Sequence, residues 1–336
     1  PVKVFVTGGT GLVGRHVIAA LLARGDRVTA LARSDTAAAG VAGMGAVPVR
    51  GDMTDVPAIE AGVRGADAVV HAAAVVLSRR GWEHYHRTNV AATETVARAA
   101  ATHGARLVHI SSVAVYGRKT TYDGGERSVD ESFGTDRPIF PGDHYARSKR
   151  EAEQAVWRMA HEEEPRLSAV ALRPCVIYGE GDRQFSIRVA RVLRRGVGMV
   201  IGDGSNPLSV VYAGNVAAAA LAALDRPDVQ GAFNIANDGA VTQREFMERF
   251  AGGLGVQLRV LAVPRFLAWP AASAADLVLR AARPGSPMTL FKAAVQFLGH
   301  SNPFVSSRAE RELEWRPVVP PAEAVERTGR WFRDAA

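Results

Sequence analysis

Six short apolar runs alternate with helical stretches through the first half of the 336-residue chain, and this alternation restricts the fold more than any other feature. The runs are "VKVFVTGG", "RVTALAR", "AVPVRGD", "ADAVVHAAA", "RLVHISS" and "LSAVALRP". Between them lie patterns such as "LVGRHVIAALLARG", "TNVAATETVARAAATHG" and "HYARSKREAEQAVWRMAHEE". Strands separated by helices of ten or more residues pair in parallel through right-handed crossovers. Strands that are apolar throughout imply a sheet covered on both faces. The expectation is an α/β fold built on a doubly wound parallel sheet. After Arg173-Pro174 the pattern loosens into helices near 183–195, 213–224, 242–253 and 320–334. Proline-interrupted Ala/Leu-rich segments fill 264–298, and "GAFNIAN" reads as a late strand.

The stretch "TGGTGLVG" joins the first strand to the first helix and spaces Gly8, Gly11 and Gly14 three residues apart. Small residues there let the backbone approach a pyrophosphate, whose charge suits the free N–H groups of a helix start. A tight strand-helix turn uses glycines too; the position at the head of a βαβ series is what favours a nucleotide. Thr10, Leu12 and Val13 belong to the same loop. A Rossmann-type dinucleotide-binding domain is therefore predicted over 1–173, with segments near 208–240 returning to it. Residues 174–336 are expected to form mainly a smaller, mostly helical substrate-binding lobe.

In "VTALARSD" the position where NAD-preferring enzymes often carry an acid is Ala32, and Arg33 follows. A carboxylate repels a 2′-phosphate and an arginine pairs with it, so NADP(H) is favoured over NAD(H). An exposed Arg33, or one stacked on the adenine of NAD, gives the same local sequence. In "GDMTD", Asp52 stands where a carboxylate can accept a bond from the adenine amino group, with Met53 beside it; a turn aspartate reads identically.

Other function classes are disfavoured. The net charge of +7 comes from single arginines spread among acids, with short pairs such as Arg79-Arg80 and Arg194-Arg195. There is no basic run and no basic-aromatic interleaving, so no nucleic-acid partner is expected. No apolar run approaches the ~20 residues of a membrane span. The sequence opens on a core strand rather than a targeting segment, and Cys175 is the sole cysteine, so a reducing cytoplasm is the expected location. "EHYH" and "HEEE" lack metal-ligand spacing, no metal is expected, and His144 reads as a helix-start residue.

Of 41 basic residues only Lys3, Lys119, Lys149 and Lys292 are lysines. Lys149 follows Tyr145 by four residues, which puts both on one helix face. A phenol near its reference pKa of ~10 is a poor base at neutral pH. A nearby ammonium stabilises the phenolate and lowers that pKa, so the tyrosine can pass a proton to or from a carbonyl oxygen. A surface Tyr/Lys pair is common, but this chain fills nearly all its other basic sites with arginine.

With these motifs the chain resembles the extended short-chain dehydrogenase/reductase family. TGxxGxxG appears as Gly8/Gly11/Gly14 and YxxxK as Tyr145/Lys149. "HISSVAVYG" is similar to the family's serine strand, which implies Ser112 as catalytic, with Ser111 its neighbour. "TNVAATETV" resembles the helix whose asparagine supports a proton relay, here Asn89. "HAAA" resembles the cofactor-lining segment, implying Ala72, Ala73 and Ala74. "LRPCVIYGEGD" resembles RPxxxYGPGD with Glu180 for a usual proline, and extends the implied cofactor contacts to Pro174 and Val176. "VVYAGNVAAA" resembles the late VYVxDVA segment, with Gly214-Asn215 for the usual acidic pair. The resemblance implies that Ser112 polarises the substrate oxygen, Tyr145 transfers the proton, Lys149 assists it and holds the nicotinamide ribose, and Asn89 orders a relay water. It also implies a homodimer paired through the helices of Asn89 and Tyr145.

Two branches compete for the substrate. Sugar-nucleotide epimerases and dehydratases often place a diphosphate-binding arginine in the stretch matched here by "GDGSNPLSVVYAGN", where the position is Leu208; Arg183 or Arg188 is left as a substitute. The chain looks closer to the 3β-hydroxysteroid dehydrogenase-like branch, implying a ketone or secondary alcohol on a bulky hydrophobic steroid-, sterol-, flavonoid- or long-chain-keto-like substrate. Phe266, Leu267, Trp269, Leu277, Leu279, Leu290, Phe291 and Phe297 together suggest an apolar cleft or lid, with peripheral membrane contact the lesser alternative. A non-enzymatic dinucleotide-binding regulator or assembly subunit is the third reading; such members usually lose the Tyr/Lys pair kept here.

Overall fold

The computed structural model describes the chain except Arg79, residues 118–127, 283–289 and Ala336, and the side chains of Arg280 and Leu290. Among the residues singled out above, Arg79, Lys119 and the Leu290 side chain lie outside the described residues. The first half alternates β1 (Lys3–Thr7), α1 (Leu12–Arg24), β2 (Arg27–Ala32), α2 (Asp35–Gly43), β3 (Val47–Arg50), α3 (Val56–Val63) and β4 (Ala68–His71). It continues with α4 (Trp82–Tyr85), α5 (Ala92–His103), β5 (Arg106–Ile110), α6 (His144–His161) and β6 (Ala169–Pro174). The second half adds β7 (Val176–Tyr178), α7 (Ser186–Leu193), β8 (Val197–Ile201), β9 (Val210–Tyr212), α8 (Ala213–Leu224) and β10 (Gly231–Ile235). It ends with α9 (Gln243–Leu254), β11 (Arg259–Val263), α10 (Arg265–Ala282), α11 (Leu290–Gly299), α12 (Ser307–Glu312) and α13 (Pro321–Asp334).

Seven strands form one parallel sheet in the order β10-β6-β5-β4-β1-β2-β3, the predicted doubly wound architecture. The winding reverses between β1 and β4, which opens a crevice at their carboxyl ends. Alternate residues of β1 face opposite sides of the sheet. Val4 and Val6 join Ile18 and Leu21 of α1 and Val216 and Ala220 of α8. Phe5 joins Ile59 of α3, Val96 of α5 and Val156 of α6. A third cluster, including Tyr178, Leu208, Phe246, Phe250 and Phe332, gathers α7, α9 and α13.

Three expectations need adjustment. Coverage on both faces holds for β4 and β5, every residue of which is buried, but β3 is the edge strand and leaves Val47 62% exposed. The parallel pairs β7–β9 and β8–β11 were not anticipated, because strands of three to five residues give little periodic signal. The helix read from "TNVAATETV" onward is preceded by a π-turn over His86–Ala91, which holds Asn89.

Arg106, at the start of β5, fixes the seventh strand. Its Nε donates to Ala223 O (2.9 Å), Nη1 to Pro227 O and Ser168 Oγ (both 2.8 Å), and Nη2 to Arg226 O (2.8 Å) and Val229 O (2.5 Å). All five guanidinium donors are thus spent on the α8–β10 loop and its neighbour. Arg106→Met leaves four carbonyls without this donor. It is expected to lower stability by roughly 3 kcal/mol or more, read as a shifted urea midpoint at unchanged slope.

Candidate active site

A cavity of about 820 Å³ lies over the carboxyl ends of the central strands. Thr10, Gly11, Leu12 and Val13 form one wall, with Arg33, Ala72 and Ala74. Ser112, Tyr145 and Lys149 form another, beside Pro174 and Val176. These sequence-predicted residues are therefore brought together.

The loop is shaped by backbone contact. Gly8 has φ 71°, and a Cβ there would lie 2.7 Å from Ala73 N; a Cβ on Gly14 would lie 2.1 Å from Gly8 O. Gly11 N–H donates to Gly8 O at 2.8 Å, and Gly11 starts α1 with no capping side chain and no acid in the first turn. The cradle, with its helix N-terminus and the adjoining Arg33, fits the diphosphate and ribose of a dinucleotide. Gly8 and Ala73 back this loop rather than line the cavity. Met53 is buried with Phe5 and Leu31 in the core. Asp52 Oδ1 accepts from Thr54 N (3.1 Å) and Thr54 Oγ1 (3.0 Å), a local turn away from the cavity lining.

Helix α6 begins at Asp143, whose Oδ1 accepts from Ala146 N at 2.9 Å, and presents Tyr145 to the cavity. Ser112 lines the cavity with it, close enough to act on the phenol. Burial raises the Tyr145 pKa and the neighbouring Ser112 hydroxyl opposes it. Lys149 is not what sets this direction: its buried Nζ donates to Ile110 O at 2.6 Å, two residues before Ser112. Burial, and not the lowering expected from Lys149, sets the direction for the phenol. Burial also brings the Lys149 ammonium down to about 8, with Glu153 acting the other way.

Two buried networks hold these groups. In the first, Arg173 Nε donates to Glu153 Oε2 at 3.1 Å and Nη2 donates to Oε1. Ser111 Oγ donates to Glu153 Oε2 (2.5 Å), and Arg173 Nη1 donates to Tyr116 OH (2.9 Å), which donates to Asn234 Oδ1 (2.7 Å). Burial alone would raise the Glu153 carboxyl; Arg173, Ser111 and Trp157 outweigh it and hold it below its usual value.

The second network runs from the glycine loop to α6. Ala73 N donates to Thr7 Oγ1 (3.3 Å), and Thr7 Oγ1 meets His71 Nδ1 at 2.7 Å. His71 Nε2 meets Thr93 Oγ1 at 2.9 Å, and Thr93 Oγ1 donates to Asn89 O at 2.6 Å. Since the Thr93 proton goes to Asn89, His71 carries its own on Nε2 and accepts from Thr7 at Nδ1. Asn89 Oδ1 accepts from Val75 N (2.7 Å), and its Nδ2 donates to Val75 O and Ser148 Oγ (both 2.9 Å). Ser148 Oγ donates to Tyr145 O at 2.9 Å. Asn89 itself does not line the cavity. His71 stacks on His109 with centroids 5.4 Å apart. Burial, aided by Lys149, takes His71 to about 3 and His109 well below the histidine range.

The far end of the cavity is lined by Val76, Ile139, Phe140, Ile177 and Phe185. The apolar 264–298 segment was expected to form an apolar cleft or lid here; among its described residues Gln296 of α11 reaches the lining, and Phe297 packs edge-on against Phe185 at 5.6 Å. Leu208 is buried in the third core cluster, Arg183 lines the cavity, and Arg188 does not. Glu180 accepts from Tyr212 OH (2.8 Å), His16 Nε2 (3.3 Å) and Arg327; burial opposes ionisation, but these bonds hold it at about 2. Asn215 Nδ2 donates to Asp238 Oδ2 (2.7 Å) and Val319 O (2.8 Å). Among the described residues no group of three or more His, Cys, Asp or Glu gathers to hold a metal ion.

The family model for the NAD dependent epimerase/dehydratase family matches residues 4–236. The chain belongs to that family. Its curated relatives include the 4-hydroxy-2-methyl-3-oxo-4-farnesyl-3,4-dihydroquinoline-1-oxide ketoreductase of Stigmatella aurantiaca, 32% identical over 93% of this chain and 91% of the relative. They also include the 2-alkyl-3-oxoalkanoate reductase of Stenotrophomonas maltophilia, 34% identical over 75% of this chain and 76% of the relative. Among solved structures, the UDP-N-acetylglucosamine 4-epimerase of Bacillus cereus superposes with a TM-score of 0.73 at 21% identity, covering 99% of this chain and 100% of that one, a likeness of fold. This family member is a nicotinamide-dependent oxidoreductase.

Glu153→Gln leaves the Arg173 guanidinium buried without its counter-charge. A loss of about 3–5 kcal/mol is expected at neutral pH in urea melts. Because the Glu153 pKa is depressed, its contribution is present above the unfolded value and fades as pH falls through the folded one. The gap between wild type and variant should therefore narrow on acidification.

Proposed function

We propose that the chain interconverts a ketone and a secondary alcohol on a bulky apolar substrate, with NADP(H) preferred over NAD(H). The observation that carries this reading is the gathering of Ser112, Tyr145 and Lys149 in the wall of a cavity that also presents Ile139, Phe140 and Phe185. The two reductases named above support it; their names carry a farnesyl or an alkyl chain.

When bound, the nicotinamide supplies or accepts hydride at the carbon bearing the oxygen. Ser112 donates a hydrogen bond to that oxygen, and Tyr145 gives it a proton in reduction or takes one in oxidation. A phenol raised by burial is a protonated donor at neutral pH, which suits reduction. Lys149, near 8, is largely an ammonium at neutral pH; it anchors α6 to β5 and would hold the nicotinamide ribose. Asn89 couples the phenol's helix to the glycine loop. Residues 1–173, with those near 208–240, are assigned to the cofactor half and the rest of 174–336 to the substrate lobe. The same reading takes the protein as a cytoplasmic homodimer paired through α5 and α6.

Arg183 in the cavity wall supports a second reading, a nucleotide-sugar epimerase or dehydratase, in which it would hold a diphosphate. Turnover of a UDP-sugar, with hydrophobic ketones inert, would replace the first reading with this one.

Tyr145→Phe is expected to leave cofactor affinity nearly intact and to lower kcat by about 100-fold or more with a hydrophobic ketone; wild-type-like turnover would remove the assignment. In the wild type, kcat/KM for reduction should fall on the alkaline side with an apparent pKa near 8 as Lys149 loses its charge. Arg33→Asp should cut the NADPH-over-NADH ratio of kcat/KM by roughly tenfold or more, since it replaces the 2′-phosphate partner with a like charge.

A further inference from the structure

Helix α10 is amphipathic in the wrong sense for a surface helix. Its buried stripe is Ala268, Ala272 and Asp276, at 4%, 5% and 3% exposure. Its large side chains lie on the opposite side: Phe266 is 77% exposed, Leu277 and Val278 67% each, and Leu267 48%. At ~100° per residue, Pro270, Ala274 and Ala281 fall between these four, so the outward face carries no polar side chain. Trp269 at 45% and Phe291 of α11 at 40% stand at its margin, with Ser273 between Trp269 and Phe266.

Within the segment itself the charges are nearly all of one sign, and the exposed Asp203 outside it lies beside Arg265. Residues 256–301 contain one acid, Asp276, against Arg259, Arg265, Arg280, Arg283 and Lys292. Asp276 is consumed inside the hairpin, where its carboxylate accepts from Phe291 N (2.9 Å) and Lys292 N (3.2 Å) at the start of α11. Lys292 Nζ stands 5.7 Å over the Trp269 ring, at the edge of the apolar face. A broad apolar face rimmed by cations is the pattern of a helix that lies in the boundary layer of an anionic bilayer. A second copy of the same face would bring like charges together. Among the described residues no helix is long and apolar enough to cross a membrane, so the contact is in-plane.

We propose that the outward face of the α10–α11 hairpin docks this protein on an anionic lipid surface through Phe266, Leu267, Leu277 and Val278, with Arg265 and Lys292 at the headgroups. This reverses the weighting the sequence favoured, and it holds whatever the substrate. The same hairpin reaches the catalytic cavity through Gln296, so the cavity wall and the lipid-facing surface belong to one element.

The test is flotation of the full chain with vesicles of phosphatidylcholine alone and of phosphatidylcholine containing phosphatidylglycerol, with no substrate present. The wild type is expected to float with the anionic vesicles and to bind neutral ones about tenfold more weakly. The double variant Phe266→Glu/Leu277→Glu should lose anionic-vesicle binding by about tenfold or more while its urea midpoint and NADPH affinity stay unchanged. Three results would overturn the proposal: a wild type that stays with neither vesicle, a double variant that floats like the wild type, or sedimentation showing that the double substitution turns a dimer into a monomer. The last would assign the face to a second copy. Because no turnover is measured, failure here leaves the ketone-reductase reading standing, and failure of that reading leaves vesicle binding intact.

Discussion

The buried ion pair between Glu153 and Arg173 is the interaction on which the site's geometry rests. Two charges withdrawn from water are tolerated when each finds its counterpart and its remaining hydrogen bonds. Here the pair recruits Ser111, Trp157 and Tyr116, and through Tyr116 reaches Asn234. It therefore joins α6, β5, β6 and β10. Glu153 lies one turn beyond Lys149, Ser111 precedes Ser112, and Arg173 precedes Pro174. Each partner of the pair thus sits one step from a cavity wall, and the spacing between those walls follows from it. Glu153 also supports the Lys149 charge against burial.

The chain of bonds from Ala73 to Tyr145 does for orientation what the ion pair does for spacing. It passes through the π-turn at His86–Ala91, where the backbone widens by one residue per turn. The Thr93 hydroxyl takes the Asn89 carbonyl, and the Asn89 amide is turned to Val75 and Ser148. The glycine loop and the helix carrying the phenol are consequently braced against each other by short, oriented bonds with few degrees of freedom. Preorganisation of this kind lets a proton move without rearranging its surroundings.

Much of this was legible in the sequence because the signals were local. The alternation of strand and helix foretold the parallel sheet, and the glycine spacing, Ser112, Tyr145 and Lys149 converge on one cavity. Long-range partners were not legible. Nothing in "SKREAEQAV" points to Arg173, twenty residues on, and nothing in "VVHAAA" indicates that His71 bridges Thr7 and Thr93. Asp52 shows the limit at its plainest, since a turn aspartate and an adenine ligand share one local sequence, and its Oδ1 is engaged by Thr54. The 264–298 segment misled for a different reason. Its apolar content was read as a cleft or lid, whereas in α10 helical phase puts Ala268 and Ala272 inward and Phe266, Leu267, Leu277 and Val278 outward.

The stacked histidines between β4 and β5 carry a consequence for the whole fold. Both are held neutral, His71 down to about 3, while in the unfolded chain each would take up a proton below about 6.5. Folding in mildly acidic water therefore expels two protons from the centre of the sheet. Each expulsion costs about 1.4 kcal/mol for every pH unit below the ordinary histidine value, down to the depressed one. The sheet that carries the cofactor loop is in effect wired to ambient acidity: the fold is secure near neutrality and becomes steadily easier to open as its surroundings acidify.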